Sequence, residues 1–343
     1  MSVRKATDSV TSSGVPAHTP TPDARVPLAL AISLAAVCGA LAAVQTRING
    51  ALGLAIGDGV VAATISFGSG LVILLVCLLF VRRGRRGLVA VAGALRERSM
   101  PWWTVLGGVS GAFLVLSQGV TGAVIGVALF SVALVAGQTV SGLILDRIGF
   151  GPHGRVATTW PRLLGAALAV AAVLWSVSGQ IGGDLPLWML TMPLLAGFGT
   201  GWQSAVNGRV RSRAQSAFAA TFINFIVGTC ALVAVMLGRA LFVGWPEQLP
   251  AEPLLYIGGA IGCIFIGVNA FLVSHTGVLI LGLGTVAGQL VGSVLLDAVA
   301  PGGAGLAFST VGGAALALVA VCVATLRAPG YRTRRARQAT ARK

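Results

Sequence analysis

Between Pro27 and Leu326 the chain is a succession of apolar runs close to 20 residues long, separated by short polar or basic joints. A helix needs about 20 such residues to cross the hydrocarbon of a bilayer. Inside lipid every backbone polar group must be bonded within the protein, so runs of this kind can only be helices. Composition agrees, since 56% of residues are apolar, 10% are charged and the mean hydropathy is +0.90, whereas a soluble chain carries roughly 25% charged residues. The sequence reads as an all-α integral membrane protein.

The length rule places ten transmembrane helices, at about 27–46, 60–81, 102–120, 123–145 and 161–181, then 187–206, 217–238, 254–273, 276–299 and 305–326. The joints Val120-Thr121-Gly122 and Ser274-His275 are expected to be tight hairpins, because fusing the spans on either side would need more than 40 residues in a row. Residues 1–26 are rich in Ser, Thr and Pro and cannot bury a core, which predicts a disordered cytoplasmic tail. They do not read as a signal peptide, because the run that follows is long and no small-residue cleavage site ends it. Residues 327–343 form a basic cytoplasmic tail.

The net charge of +15 is concentrated beside the spans, with +1 in residues 1–26, +5 in 82–98 and +7 in 327–343. That distribution argues for topology signals drawn to the anionic lipids of the cytoplasmic face, and against nucleic-acid binding. With a cytoplasmic N-terminus and alternating spans, 22 of the 24 Lys and Arg fall inside, and only Arg47 and Arg239 fall outside. Asp58, Asp184, Glu247, Glu252 and Asp297 face outward on the same reading. Cys38, Cys77, Cys230, Cys263 and Cys322 all lie inside apolar runs without C-x-x-C spacing, as packing residues do.

The chain also repeats itself. Gln45-Thr46-Arg47-Ile48-Asn49-Gly50 returns 158 positions later as Gln203-Ser204-Ala205-Val206-Asn207-Gly208, and at the same offset Ala62 pairs with Ala220, Phe67 with Phe225 and Gly70 with Gly228. At an offset of 151, Gly107-Gly108-x-x-Gly111 matches Gly258-Gly259-x-x-Gly262, Ala136-Gly137-Gln138 matches Ala287-Gly288-Gln289, and Asp146 matches Asp297. Residues 27–182 are read as one five-helix unit and 183–326 as a second. Five is odd, so the second unit must enter from the opposite side, giving two inverted five-helix repeats. The arginines after Asn207-Gly208, against the apolar segment after Asn49-Gly50, fit that reversal. Each motif is expected to close the first span of its unit at the membrane surface. Two oppositely inserted copies can exchange conformations and open a central site to either side in turn, although a non-transporting scaffold has the same symmetry.

Ten spans as five plus five, a first span ending in Q-x-x-x-N-G at Gln45 to Gly50 and Gln203 to Gly208, and a glycine-rich third span together resemble a fused, duplicated member of the drug/metabolite transporter superfamily, in its YdcZ-like branch. The resemblance covers residues 27 to 326. It implies a small-molecule carrier of the bacterial inner (plasma) membrane, and it gives a class rather than a ligand. Sister proteins that pair two short chains imply that a fused chain suffices as a monomer, with a homodimer as the alternative.

Polar side chains inside the spans are the candidate site, because an amide in hydrocarbon must find a partner. Gln45 and Asn49 share a helical face, as do Gln203 and Asn207. Gln118 with its counterpart Asn269, Gln138 with Gln289, and Asn224 with its counterpart Ser66 complete the set. These residues either bond helix to helix or line a cavity that binds solute. Trp202 and Trp175 are candidates for cavity lining, while Trp102, Trp103, Trp160, Trp188, Trp245 and Tyr256 lie near span ends as belt residues. Gly107/Gly111, Gly122/Gly126, Gly258/Gly262 and Gly288/Gly292 fit the small-x-x-x-small pattern of close helix contact.

No Asp or Glu falls in the middle of an expected span, so proton coupling is expected to be weak or absent. Asp146 and Asp297, at span ends, make helix-end contacts or else couple an ion, and His275 stands alone in its joint. The chain has no H-E-x-x-H, G-x-S-x-G or P-loop motif, and its three histidines are far apart, so no enzyme, cofactor or metal is expected. Two readings remain. One is a secondary carrier moving a small organic solute by alternating access between the inverted repeats; the other is a non-transporting membrane component that binds a partner or handles lipid.

Overall fold

A computed structural model of the chain describes residues 28–150, 158–178, 186, 188–246, 248–299 and 307–326. Both tails lie outside the described residues, as do Asp184, Glu247 and the side chains of Asp146, Asn269 and His275. The helices are α1 (Leu28–Ile56), α2 (Gly59–Phe80), α3 (Arg82–Arg96), α4 (Gly107–Thr121), α5 (Val127–Ile148), α6 (Trp160–Ser178), α7 (Trp188–Ala214), α8 (Ala217–Val243), α9 (Gly258–Ala298) and α10 (Phe308–Thr325). Short 3-10 turns at Trp102–Leu106 and Pro253–Tyr256 lead into α4 and α9.

Among the described residues, seven helices are long and apolar enough to cross a membrane, which corrects the expected ten spans in two five-helix repeats. They are Ile32–Ile56, Gly59–Phe80, Trp102–Thr121, Val127–Leu145, Trp160–Ser178, Ala217–Val243 and Phe308–Thr325. The sixth expected span falls in α7, which carries Pro193, Gln203, Asn207, Arg209, Arg211 and Arg213 and is too polar over its length to count. The eighth and ninth fuse into α9, a continuous helix of 41 residues, about 62 Å at 1.5 Å per residue. Its apolar stretch among the described residues is Gly282–Ala298. The expected hairpin at Ser274-His275 fails because Ser, His and Thr do not stop a helix, and a single glycine such as Gly277 costs only about 1 kcal/mol. The corresponding joint after α4 does break, with Gly126 at φ +82°.

The repeated motifs do not close their helices either. α1 continues past Gly50 to Ile56, and α7 past Gly208 to Ala214; each motif ends in Asn-Gly, a common helix stop, but both asparagine side chains bond to neighbouring helices instead. The chain turns instead at Gly57 (φ +71°) and Gln215 (φ +49°). The next helix then starts on a capping side chain. Asp58 Oδ1 accepts from Val60 N and Val61 N at 2.9 and 3.2 Å, and Ser216 Oγ accepts from Ala219 N at 3.2 Å.

The basic stretch expected as a loop after α2 forms α3. Gly84, Gly87, Val91 and Ala94, spaced by three and four, give one buried face. It packs with Met100 against Val210, Ala214, Ala219 and Ala220 of α7 and α8, leaving Arg82, Arg83 and Arg86 exposed.

Helices of residues 27–182 pack on those of 183–326. α1 lies along α9, α7 along α4 and α5, α2 against α8 and α6 against α10. At the crossing of α2 and α8, Phe67 and Phe225 stack with ring centroids 4.7 Å apart, and Gly70 and Gly228 each leave room for the other helix's ring. Ala63, Leu74, Ala112, Val115, Phe222 and Leu232 complete this core. Backbones approach closely at equivalent places, Gly108 against Asn224 O and Gly228 N, and Gly259 against Ser66 O and Gly70 N. Such contact is what holds helices together in lipid, where no water is released between apolar faces.

Candidate functional site

Two groups of amides flank the Phe67–Phe225 stack. In the first, Asn224 on α8 is buried, and its Oδ1 accepts from Gln203 Nε2 at 2.9 Å and from Asn207 Nδ2 at 3.2 Å. The four-residue spacing puts both donors on one face of α7. α4 covers the group with glycines: a Cβ on Gly107 would lie 2.8 Å from Asn207 Oδ1, and one on Gly111 would lie 2.8 Å from Gln203 Nε2.

In the second group the same motif is bonded differently. Asn49 is fully buried, and its Nδ2 donates to Gln118 Oε1 at 2.7 Å. Gln118 Nε2 donates to Thr46 Oγ1 at 3.0 Å, and Thr46 Oγ1 donates to Ala42 O at 3.0 Å. Gln45 Nε2 turns to the start of α9, donating to Gly258 O at 3.0 Å. Ser66 stands where the other group has Asn224. Its Oγ and Asn49 Oδ1 are both buried without a partner among the described residues, a state that costs about 1–3 kcal/mol per atom.

The other amides do not join these groups. Gln138 is half-buried and lines a pocket of about 200 Å³ with Thr139, Gly142 and Leu143 of α5, Arg162 of α6, and Val321, Ala324 and Thr325 of α10. Gln289 is buried on α9 where Gly39 of α1 meets its backbone. Of Gln138, Gln289 and Asn224, only Gln138 lines this pocket. Trp202 is half-buried on α7. Trp175 is exposed and meets the exposed Phe308 edge-on at 6.3 Å, on the outside of the bundle. Trp102, Trp160, Trp188 and Trp245 are exposed as well.

Three charged contacts lie outside the amide groups. Asp297 reaches from α9 to the start of α5, where Oδ1 accepts from Val127 N at 3.1 Å and Oδ2 from Ala128 N at 2.7 Å. A carboxylate there completes the N-terminus of a helix and meets the positive end of its dipole. Asp58 pairs with Arg239 of α8, tying the two parts of the chain together at one end of the α2–α8 crossing. The signal in the sequence was that Arg239 and Asp58 were expected on the same face, each near a helix end. Arg209, directly after the second motif, lies over the rings of Trp103 and Phe150 and donates from Nη2 to Phe150 O at 2.7 Å.

The chain matches, over residues 30–175 and 188–326, the family model described as "putative inner membrane exporter, YdcZ". Among curated proteins none matches it. The match spans most of the chain, which therefore belongs to the YdcZ family of the drug/metabolite transporter superfamily, a family of membrane transporters and not of enzymes.

Proposed function

We propose that this member of the YdcZ exporter family is a secondary carrier for a small organic solute, working by alternating access as its two repeated halves, 27–182 and 183–326, exchange conformations. The observation that supports it is an inequality between like parts. Asn49 and Asn207 hold the same place in the motif, yet α1 packs on α4, where Asn49 bonds Gln118, whereas Asn207 bonds Asn224 on the next helix. Among the described residues α7 has no comparable packing on α9. Like halves in unlike arrangements are what one state of such a carrier requires, with the roles reversed in the other. The interhelical amide bonds at stake contribute about 0.6–2 kcal/mol each, small enough for both states to be populated.

In this state Gln138 is the residue assigned to solute contact, through its pocket between α5, α6 and α10, and Gln289 takes that role in the other state. The termini lie on the cytoplasmic side of the inner membrane, where the exposed arginines of α3 meet anionic lipid, and the chain works as a monomer. The test is a thermal-stabilisation screen of the purified protein against small organic solutes, followed by counterflow of each hit in proteoliposomes. A hit that exchanges across the membrane, with affinity reduced about tenfold by Gln138→Ala (roughly 1.4 kcal/mol), is the expected result. Hits that bind but never exchange would instead favour a non-transporting component.

A further inference from the structure

α2 and α8 cross at the stack of Phe67 on Phe225, two residues that are counterparts in the repeat, and the two ends of that crossing are closed by different chemistry. At one end α3 supplies an apolar face. Gly84 lies against the ring of Phe218, Gly87 lies against Ala214, Ser216 and Ala219, and Phe218 stacks on Phe222 at 6.3 Å. At the other end the helices are joined by charge. No residue of α8 beyond Leu232 is buried, and Leu241, Phe242 and Val243 are exposed. From this stretch Arg239 reaches Asp58 Oδ2 at the start of α2. Asp58 is only 6% exposed and is fixed to its own half: Oδ1 accepts from the N–H groups of Val60 and Val61, and its own N–H donates to Gly53 O at 3.1 Å. At the offset of 158 the counterparts of Asp58 and Arg239 are Ser216 and Val81. Ser216 caps α8 as Asp58 caps α2, so the cap is present at both ends and the ion pair at one.

We propose that Asp58 and Arg239 form an ionic latch that holds this end of the α2–α8 crossing shut, with Asp58 as the fixed member and Arg239 as the member that withdraws. A buried carboxylate stripped of its counter-charge is costly, so the shut arrangement depends on the pair. When the end of α8 swings away, water takes the place of Arg239 around Asp58 and that cost is gone. The apolar end has no such dependence, since packing alone holds it. The latch rests on the carrier reading in one respect: a contact that releases has a use only in a chain that opens at each end in turn.

The test uses the full chain in proteoliposomes, its native cysteines replaced, with spin labels at Ala55 and Phe242 across the latch and, in a second preparation, at Val89 and Arg213 across the apolar end. Arg239→Gln is expected to raise the ratio of long to short distances across the latch about five- to thirty-fold. Asp58→Asn keeps the capping oxygen and strands only the partly exposed Arg239, so it should act in the same direction and less. Adding Asp58→Asn to Arg239→Gln should bring the ratio back down, because the stranded carboxylate leaves, and Arg239→Lys, which restores the charge, should return the short distance. A pair that merely supports the fold would lower the unfolding midpoint of these variants and leave the distances across the latch unchanged; that result, or strictly additive effects in the double variant, overturns the latch. If Arg239→Gln opens the latch while the distance across the apolar end stays fixed, the latch stands and the exchange of states between the halves falls. If a solute shifts the two label pairs in opposite directions in the unsubstituted chain while Arg239→Gln shifts neither, the exchange stands and the latch is overturned.

Discussion

Replacing Asn224 with alanine removes the one acceptor that two amides of α7 share. Two interhelical bonds are lost, at about 0.6 kcal/mol each by the average for membrane helices. The donors left behind, Gln203 Nε2 and Asn207 Nδ2, each bear a further cost, up to about 1–3 kcal/mol if nothing else accepts them. Both side chains are only partly buried and can turn, so the lower end of that range applies and the total comes to about 3 kcal/mol. Reversible unfolding in mixed micelles, followed by tryptophan fluorescence, measures this directly, with Trp202 beside Gln203 as a local reporter. A double-mutant cycle sharpens it: Gln203→Ala in the Asn224→Ala background should cost almost nothing, because the stranded amide leaves with it. Loss of less than about 0.5 kcal/mol for Asn224→Ala, or strictly additive effects in the cycle, would refute the shared-acceptor geometry.

Phe67→Ala opens the centre of the α2–α8 crossing, where Phe67 stacks on Phe225 and fills the space left by Gly228; a loss of about 3–5 kcal/mol is expected in the same unfolding assay. Arg239→Gln leaves the buried Asp58 without its ion partner but with both capping bonds, so the expected loss is about 1–2 kcal/mol, since Arg239 is partly exposed and the cap remains. His275→Pro tests the continuity of α9: in an unbroken helix it costs about 3 kcal/mol or more, whereas in a hairpin joint it would be nearly neutral. Gly108→Leu, at a backbone contact with Asn224 and Gly228, should block assembly of α4 on α8 and reduce the yield of folded protein, read by size-exclusion chromatography.

Much of this architecture is legible in the sequence because lipid makes buried polar residues costly, and those that persist at fixed offsets mark the places where helices meet. Gln45, Asn49, Gln203 and Asn207 stood out for that reason, and their pairing on one helical face followed from spacing. Their partners did not, because spacing says nothing about which neighbouring helix comes closest. Asn49 and Asn207 are alike in sequence and bond to different helices. Hydropathy also misjudged three segments. α3 was hidden by its arginines, although Gly84, Gly87, Val91 and Ala94 carry a helical period. α9 was cut in two because a window rule expects a break about every 20 residues, while nothing near Ser274 stops a helix. α7 was counted as a span although Pro193, its glycines, its amides and its three arginines make it too polar over its length. Gln138 was found from the repeat, but its pocket was not, since Arg162 and Thr325 come from α6 and α10, distant in sequence.

The proposed exchange of states between the halves can be read as a pair of distances. Spin labels on Leu54 and Val124 report the separation of α1 from the end of α4, and labels at the equivalent positions Ser212 and His275 report α7 against α9. In proteoliposomes, with and without a solute from the stabilisation screen, each pair should show a short and a long population, with the solute shifting the two pairs in opposite directions. A single distance in each pair, unmoved by any solute, would contradict alternating access in this chain.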